Sequence, residues 1–150
     1  MTKMAGVTAS RAPYLAAAVI ASGPLMLSGA TGALGQTWDG SASADWFTGE
    51  NWSSNTVPDD TQNVYIDTTA PNSAKVTNKT TNGTAGAQRL HVGERGEGTL
   101  TVSDGGAVSS THGYIGHFSG STGTVEVTGT GAAWGTIQWI CLSVTMAMAL

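Results

Sequence analysis

Three histidines, His91, His112 and His117, are the side chains of this chain best suited to hold a metal ion. His112 and His117 are five residues apart. That is not the four-residue step that puts two ligands on one helix face. On a strand, His91 flanks Val92 and faces out. The spacing therefore favours solvent-exposed histidines, with no metal ligand assigned. The segment Val92–Gly98 reads VGERGEG and superficially resembles a phosphate-cradling loop. Such a loop needs a strand before it and a helix after it, and here a strand-like Leu100-Thr101-Val102 follows. The glycines are accordingly assigned to corners. Asp59, Asp60, Asp67 and Asp104 are oxygen donors, but no calcium-loop pattern surrounds them. The acids are scattered and form none of the pairs that glycoside cleavage uses. Catalytic, cofactor-binding and metal-binding residues are therefore all assigned as none, and no cofactor is expected.

Trp38, Trp46 and Trp52 offer two readings. An indole can stack on a sugar, or it can cover an apolar end and donate one hydrogen bond. Covering is favoured, because the elements described below leave an open end that needs a cap. Asn51-Trp-Ser, Asn78-Lys-Thr and Asn82-Gly-Thr match the glycosylation acceptor, a pattern common by chance in Asn/Thr-rich sequence.

The elements that must position these residues follow from composition. The chain has 150 residues, room for one domain, and only 11% are charged, against about a quarter in ordinary domains. Glycine accounts for 21 residues, alongside abundant Thr, Ser and Val. Val and Thr suit pleated strands and Gly suits the turns between them. The formal net charge is −4. With Lys3 and Arg11 set aside as part of a leader, the remainder is more acidic still, which argues against nucleic acid as a partner. Cys141 is the only cysteine, so no internal disulfide can form.

Residues 1–14 carry Lys3 and Arg11 and no acid; the first acid of the chain is Asp39. An apolar run, LAAAVIASGPLML, extends from Leu15 to Leu27, and Ala33-Leu34-Gly35 then places small residues around a cleavage point. This is the layout of a secretory signal over 1–35, with the Sec translocon as partner during export. A transmembrane helix is the rival reading, disfavoured because Gly23-Pro24 interrupts a short run. Localisation is expected beyond the inner membrane: periplasm, cell surface or extracellular.

Residues 36–86 form a lead-in. Val57-Pro58-Asp59-Asp60 reads as a turn, NVYID (63–67) as a strand with Val64 and Ile66 on one face, and Ala74–Thr77 as another. Asn78 to Ala87 reads as loop. Residues 87–134 then repeat. Val92-Gly93 matches Ile115-Gly116 at an offset of 23, and Leu100-Thr101-Val102 matches Val125-Glu126-Val127 at 25. Gly105-Gly106-Ala107-Val108 loosely matches Gly131-Ala132-Ala133-Trp134 at 26. Repeats of this length point to a solenoid, two coils here, each carrying three short strands. Strands so short bury a face only by stacking on the next coil. Leu100, Val102, Val125 and Val127 should point inward. Thr99, Thr101, Ser103 and Glu126 should point outward, and glycines should take the corners. A sandwich of hairpins is the rival architecture. It does not account for the repeated order of the three motifs.

The segment LHVGERGEGTLTVSDGGAVSSTHGYIGHFSGSTGTVEVTGTGAAW (90–134) resembles the repeat of autotransporter (type V secretion) passengers. The preceding WDG…DWFTGENW…VPDD…VYID resembles the lead-in of the same proteins. The resemblance spans about residues 36–134. It implies an all-β fold, the start of a right-handed parallel β-helix behind a signal peptide. It also implies a surface-exposed, adhesin-like display role toward a host-surface or other extracellular ligand, without enzyme activity. The C-terminal β-barrel that normally moves such passengers across the outer membrane is missing from these 150 residues, and one full repeat stands where the family carries many. A truncated remnant is therefore expected as readily as a working passenger fragment. A secreted β-helix enzyme acting on polysaccharide is the alternative.

From Gly135 the character changes to GTIQWICLSVTMAMAL, although residues 36–134 contain neither Met nor Cys. We read 135–150 as an out-of-frame tail. Reading one base earlier in phase forces Met146-Ala147-Met148-Ala149 to encode Gly-x-Gly. Suitable synonymous codons then give L.VG..G.G, the opening of a further repeat.

Overall fold

The computed structural model describes residues 35–141 and 144–149. The signal-peptide assignment, apart from Gly35, lies outside the described residues. Among the described residues nine strands carry the fold: β1 (Gln36–Thr37), β2 (Asn63–Ile66), β3 (Ala74–Thr77), β4 (Ala85–Val92), β5 (Glu97–Ser103), β6 (Ala107–Ile115), β7 (Thr122–Thr128), β8 (Ala133–Cys141) and β9 (Val144–Ala149). They form two sheets, ordered β1-β2-β4-β6-β8 and β3-β5-β7-β9. Each pairing between these strands is parallel. The chain is therefore a β-solenoid of about four turns, and a sandwich of hairpins is excluded.

The repeat offsets are the ladder registers. Val92 pairs with Ile115 in the β4–β6 ladder, and Leu100 with Val125 in the β5–β7 ladder. Val108 pairs with Trp134 in the β6–β8 ladder. Stacking in register builds aliphatic columns along the interior. One runs Ile66–Val92–Ile115 and another Ala74–Leu100–Val125, all buried. A third, Val76–Val102–Val127, ends on a half-buried valine. Each column buries apolar surface that a single short strand would leave in water, at roughly 25 cal/mol per Å².

The alternation slips once in β4 and once in β6. In β4, Ala85, Ala87, Leu90 and Val92 are buried, while Gln88 and Arg89 are both exposed. In β6, Val108, Ser110, Gly113 and Ile115 are buried, with exposed Thr111 and half-buried His112 between them. The ladder registers skip 88 and 111 at the same place. Two successive outward residues mark a corner, so one assigned strand spans two faces of the coil.

Glycines are required at two kinds of place. Gly93 has φ +66° and Gly116 φ +59°, where the chain leaves the β4 and β6 faces. At Gly98 a Cβ would sit 1.9 Å from the Ile66 carbonyl oxygen of the neighbouring coil, and at Gly123 2.2 Å from that of Val92. These glycines let successive coils approach at backbone distance.

Four sequence expectations are corrected. The segment Asn78–Ala87 is not all loop: Lys79–Asn82 make one helical turn (α1), with Asn82 N–H donating to Asn78 O at 3.1 Å, and β4 starts at Ala85. Its first inward residues are small alanines, which carry little strand signal. The lead-in turn falls at Asp59–Gln62 rather than 57–60, closed by Gln62 N–H on Asp59 O at 3.3 Å. Ser103 is buried, because the corner folds back through Gly106 N–H on Ser103 O at 2.8 Å. Val127, expected inward, is only half-buried. Thr99 and Thr101 are half-buried too, and Glu126 is exposed.

The segment 36–52 runs along the outer edges of β2 and β3. β1 pairs with β2, and Lys75 N–H donates to Ala44 O at 2.7 Å while Trp46 N–H donates to Lys75 O at 2.9 Å. Trp38, Trp46 and Trp52 are buried in edge-to-face contact, with centroid distances of 5.0 and 4.7 Å about Trp52. Trp52 Nε1 donates to Trp46 O at 2.8 Å. Buried Asn51 holds the loop from inside. Its Oδ1 accepts from the amides of Ala42 and Ser43, and its Nδ2 donates to Ser43 Oγ and Asp45 O. That burial removes Asn51 from any enzyme that glycosylates the folded chain.

The tail residues continue both ladders in backbone terms. β8 keeps the offset of 26 against β6, whereas β9 pairs with β7 at 21, Gly123 with Val144. Only 142–143 separate β8 from β9, where the preceding coil places 116–121 between β6 and β7.

Candidate functional site

The residues with the most chemistry gather on the outside of the β2–β4–β6 face, at the turns that follow these strands. Tyr65, His91 and Tyr114 occupy one register position in three successive coils. Their neighbours in sequence, Val64 and Ile66, Leu90 and Val92, and Ile115, point inward, so these rings point outward. The parallel ladder then stacks them. His91 lies 4.7 Å from Tyr65 and 4.4 Å from Tyr114 between ring centroids, the latter at an interplanar angle of 6°.

The turns stack as well. Gly116 N–H donates to Val92 O at 3.0 Å, His117 N–H to Gly93 O at 3.1 Å and Phe118 N–H to Glu94 O at 3.1 Å. Glu94 and His117 thus hold equivalent positions in consecutive coils, and so do Arg95 and Phe118. The second pair is complementary: the Arg95 guanidinium lies 4.3 Å from the Phe118 ring centroid. One turn above, Asp67 Oδ1 accepts from the Glu94 and Arg95 amides and fixes the shape of the loop.

Within this stack, His91 Nδ1 lies 3.5 Å and His117 Nδ1 3.9 Å from Glu94 Oε1. One ligand atom from each of His91, Glu94 and His117 lies within 4.8 Å of the others. His91 is 5% exposed, and its Nδ1, like that of His117, is buried without a hydrogen-bond partner. Burial, and next the neighbouring His117, push the His91 imidazole down to about 4, with Asp67 opposing and Arg89 adding to the fall. His91 is consequently neutral at neutral pH, the form in which imidazole binds metals.

The sequence expectation of exposed histidines is therefore corrected. His91 does face away from the aliphatic interior, but Tyr65, Tyr114 and the next turn cover it. His112 and His117 are half-buried. Strand alternation gives the side of the sheet and says nothing of what neighbouring coils lay over it. The signal that could have found the cluster is the offset of 23, which takes Glu94 to His117 and places His91 one coil from Tyr114. The scattered acids sort themselves likewise: Asp67 and Glu94 are brought to this turn stack, while Asp59 lies in the lead-in turn and Asp104 at the corner after β5. The three tryptophans are too buried to offer an indole face to a sugar. In the glycine-rich segment only 93–96 form a turn, between β4 and β5 with no helix after it, and Gly98, expected at a corner, lies in β5. No family model matches this chain, and neither a curated protein nor a solved structure matches it.

Proposed function

We propose that this chain is an exported structural module, the front end of an adhesin-like β-solenoid of the autotransporter passenger kind, whose work is display. The observation that carries the reading is the coil itself. A repeated VG, LTV and GG unit stacks in register, buries its aliphatic residues, and leaves Ser109, Thr111, Ser119, Thr122 and Thr130 exposed outside. A stack of parallel ladders is stiff along its axis, and a polar exterior is a hydrogen-bonding surface for an extracellular ligand. The basic, then apolar, then small-residue order of 1–35 supports export, and the resemblance over 36–134 supports the passenger reading. Residues 135–150 are, in this proposal, the out-of-frame continuation of a further coil.

Expression of the whole chain in a Gram-negative host tests the reading. The expected outcome is periplasmic or extracellular protein whose N-terminus begins near Gln36, with two charged substitutions in Leu15–Leu27 trapping it inside. Cytoplasmic protein that retains residues 1–35 would sink it. The coding DNA tests the tail separately: its shifted frame is expected to read L.VG..G.G.

A further inference from the structure

We propose that His91, Glu94 and His117 form a binding site for a zinc-class divalent cation that clamps two successive coils together. The site stands on coil geometry alone, and so is independent of where the protein resides or what it displays.

The ligand set is the first argument. Two imidazoles and one carboxylate suit zinc and its neighbours; magnesium and calcium prefer all-oxygen cages. The geometry is the second. Zinc holds N and O ligands at about 2.0–2.1 Å, so tetrahedral ligands lie roughly 3.3 Å apart. The Nδ1–Oε1 distances of 3.5 and 3.9 Å are already close to that edge. The remaining contraction falls on Glu94 and His117, whose side chains are 17% and 28% exposed and can move.

His91 supplies the third argument. Held between Tyr65 and Tyr114, it is fixed before any ligand arrives, which reduces the ordering entropy of binding. Its Nδ1 is buried, lacks a hydrogen-bond partner and faces Glu94. A buried polar atom left unpaired costs free energy, and a coordinated cation would satisfy it. Asp67, which binds the Glu94 and Arg95 amides, supports the loop from the adjacent coil. Three protein ligands leave a fourth position for water or for a donor group from a bound molecule. His112 is outside the set, although its Nδ1 is also unpaired.

The test uses the full chain, purified without a polyhistidine tag and stripped with chelator, then titrated with zinc by calorimetry and with cobalt(II) by visible absorption. Stoichiometric zinc binding, with a cobalt spectrum of a four-coordinate nitrogen and oxygen site, is expected. Glu94→Gln and His117→Ala should each weaken zinc at least about tenfold to a hundredfold, a scale on which even outer-shell partners act. His112→Ala should leave the affinity unchanged, and calcium or magnesium should not compete. Far-UV circular dichroism establishes that each variant keeps its strands. Should His117→Ala unfold, the near-isosteric Glu94→Gln and the wild-type cobalt spectrum still decide the matter. Failure of the wild type to bind zinc, unaltered binding in Glu94→Gln, or equal loss in His112→Ala overturns the proposal.

Discussion

The inside and the outside of the coil obey different rules at the same register. Inside, each column repeats one class of residue: Ile66, Val92 and Ile115, or Val76, Val102 and Val127. Outside, Tyr65, His91 and Tyr114 share a position and stack, but Glu94 and His117, also equivalent, differ in kind and approach each other as ligands. Repetition gives every coil a like neighbour to bury against, and this builds the solenoid. Departure from repetition brings unlike groups to the same height on adjacent turns. In a stacked fold, chemistry is therefore to be sought where the repeat is broken on the outer turns.

The sharpest way to break the inside is at its covered end. Trp52→Ala removes a fully buried ring that contacts both Trp38 and Trp46 and leaves the Trp46 carbonyl without its indole donor. The expected loss is about 3–5 kcal/mol, read as a lower urea midpoint. A loss under about 1 kcal/mol would mean that the first coil does not depend on its tryptophan cover. Next comes the coil-to-coil approach. In Gly98→Ala the new Cβ meets the Ile66 carbonyl oxygen and the Gly93 amide nitrogen, both backbone, so two coils must separate. Overpacking of this kind costs about 1–3 kcal/mol. Gly120→Ala is the control: φ is +84° but nothing lies within 4 Å, and only the backbone strain, about 1 kcal/mol, should appear. Equal effects at the two glycines would remove close approach as the reason for Gly98.

How much of this was legible in the sequence follows from the same contrast. The offsets of 23, 25 and 26 were readable because Val92, Leu100 and Val108 each recur as an apolar residue within two positions of a glycine, and they reappear as the ladder registers. β2 and β3 were readable from short alternations. The start of β4 was not, because Ala85 and Gly86 carry almost no strand preference and take their form from pairing with Val108 and Ser109. Nor was the burial of His91, which depends on rings one coil above and one coil below. The cluster with Glu94 and His117 became visible only when the offset was applied to turn residues, and a search for fixed helical spacing passes over it. Ser103 went wrong for a local reason: its corner closes back on it.

The smallest effect probes the outside stack directly. Tyr114 is half-buried and its ring is stacked nearly parallel to that of His91, so Tyr114→Leu keeps a strand residue of similar bulk but removes the ring from one side of the imidazole. The lost stacking is worth about 0.5–1.5 kcal/mol, well below the cost at Trp52 and at or below the lower part of the range at Gly98. The proton resonances of His91 should shift as the ring current of Tyr114 vanishes, while those of Val64 and Leu100 in the interior stay in place. If the substitution instead moved the interior resonances or cost as much as Trp52→Ala, the outer rings would belong to the core. The distinction between a repeated inside and a variable outside would then have to be given up.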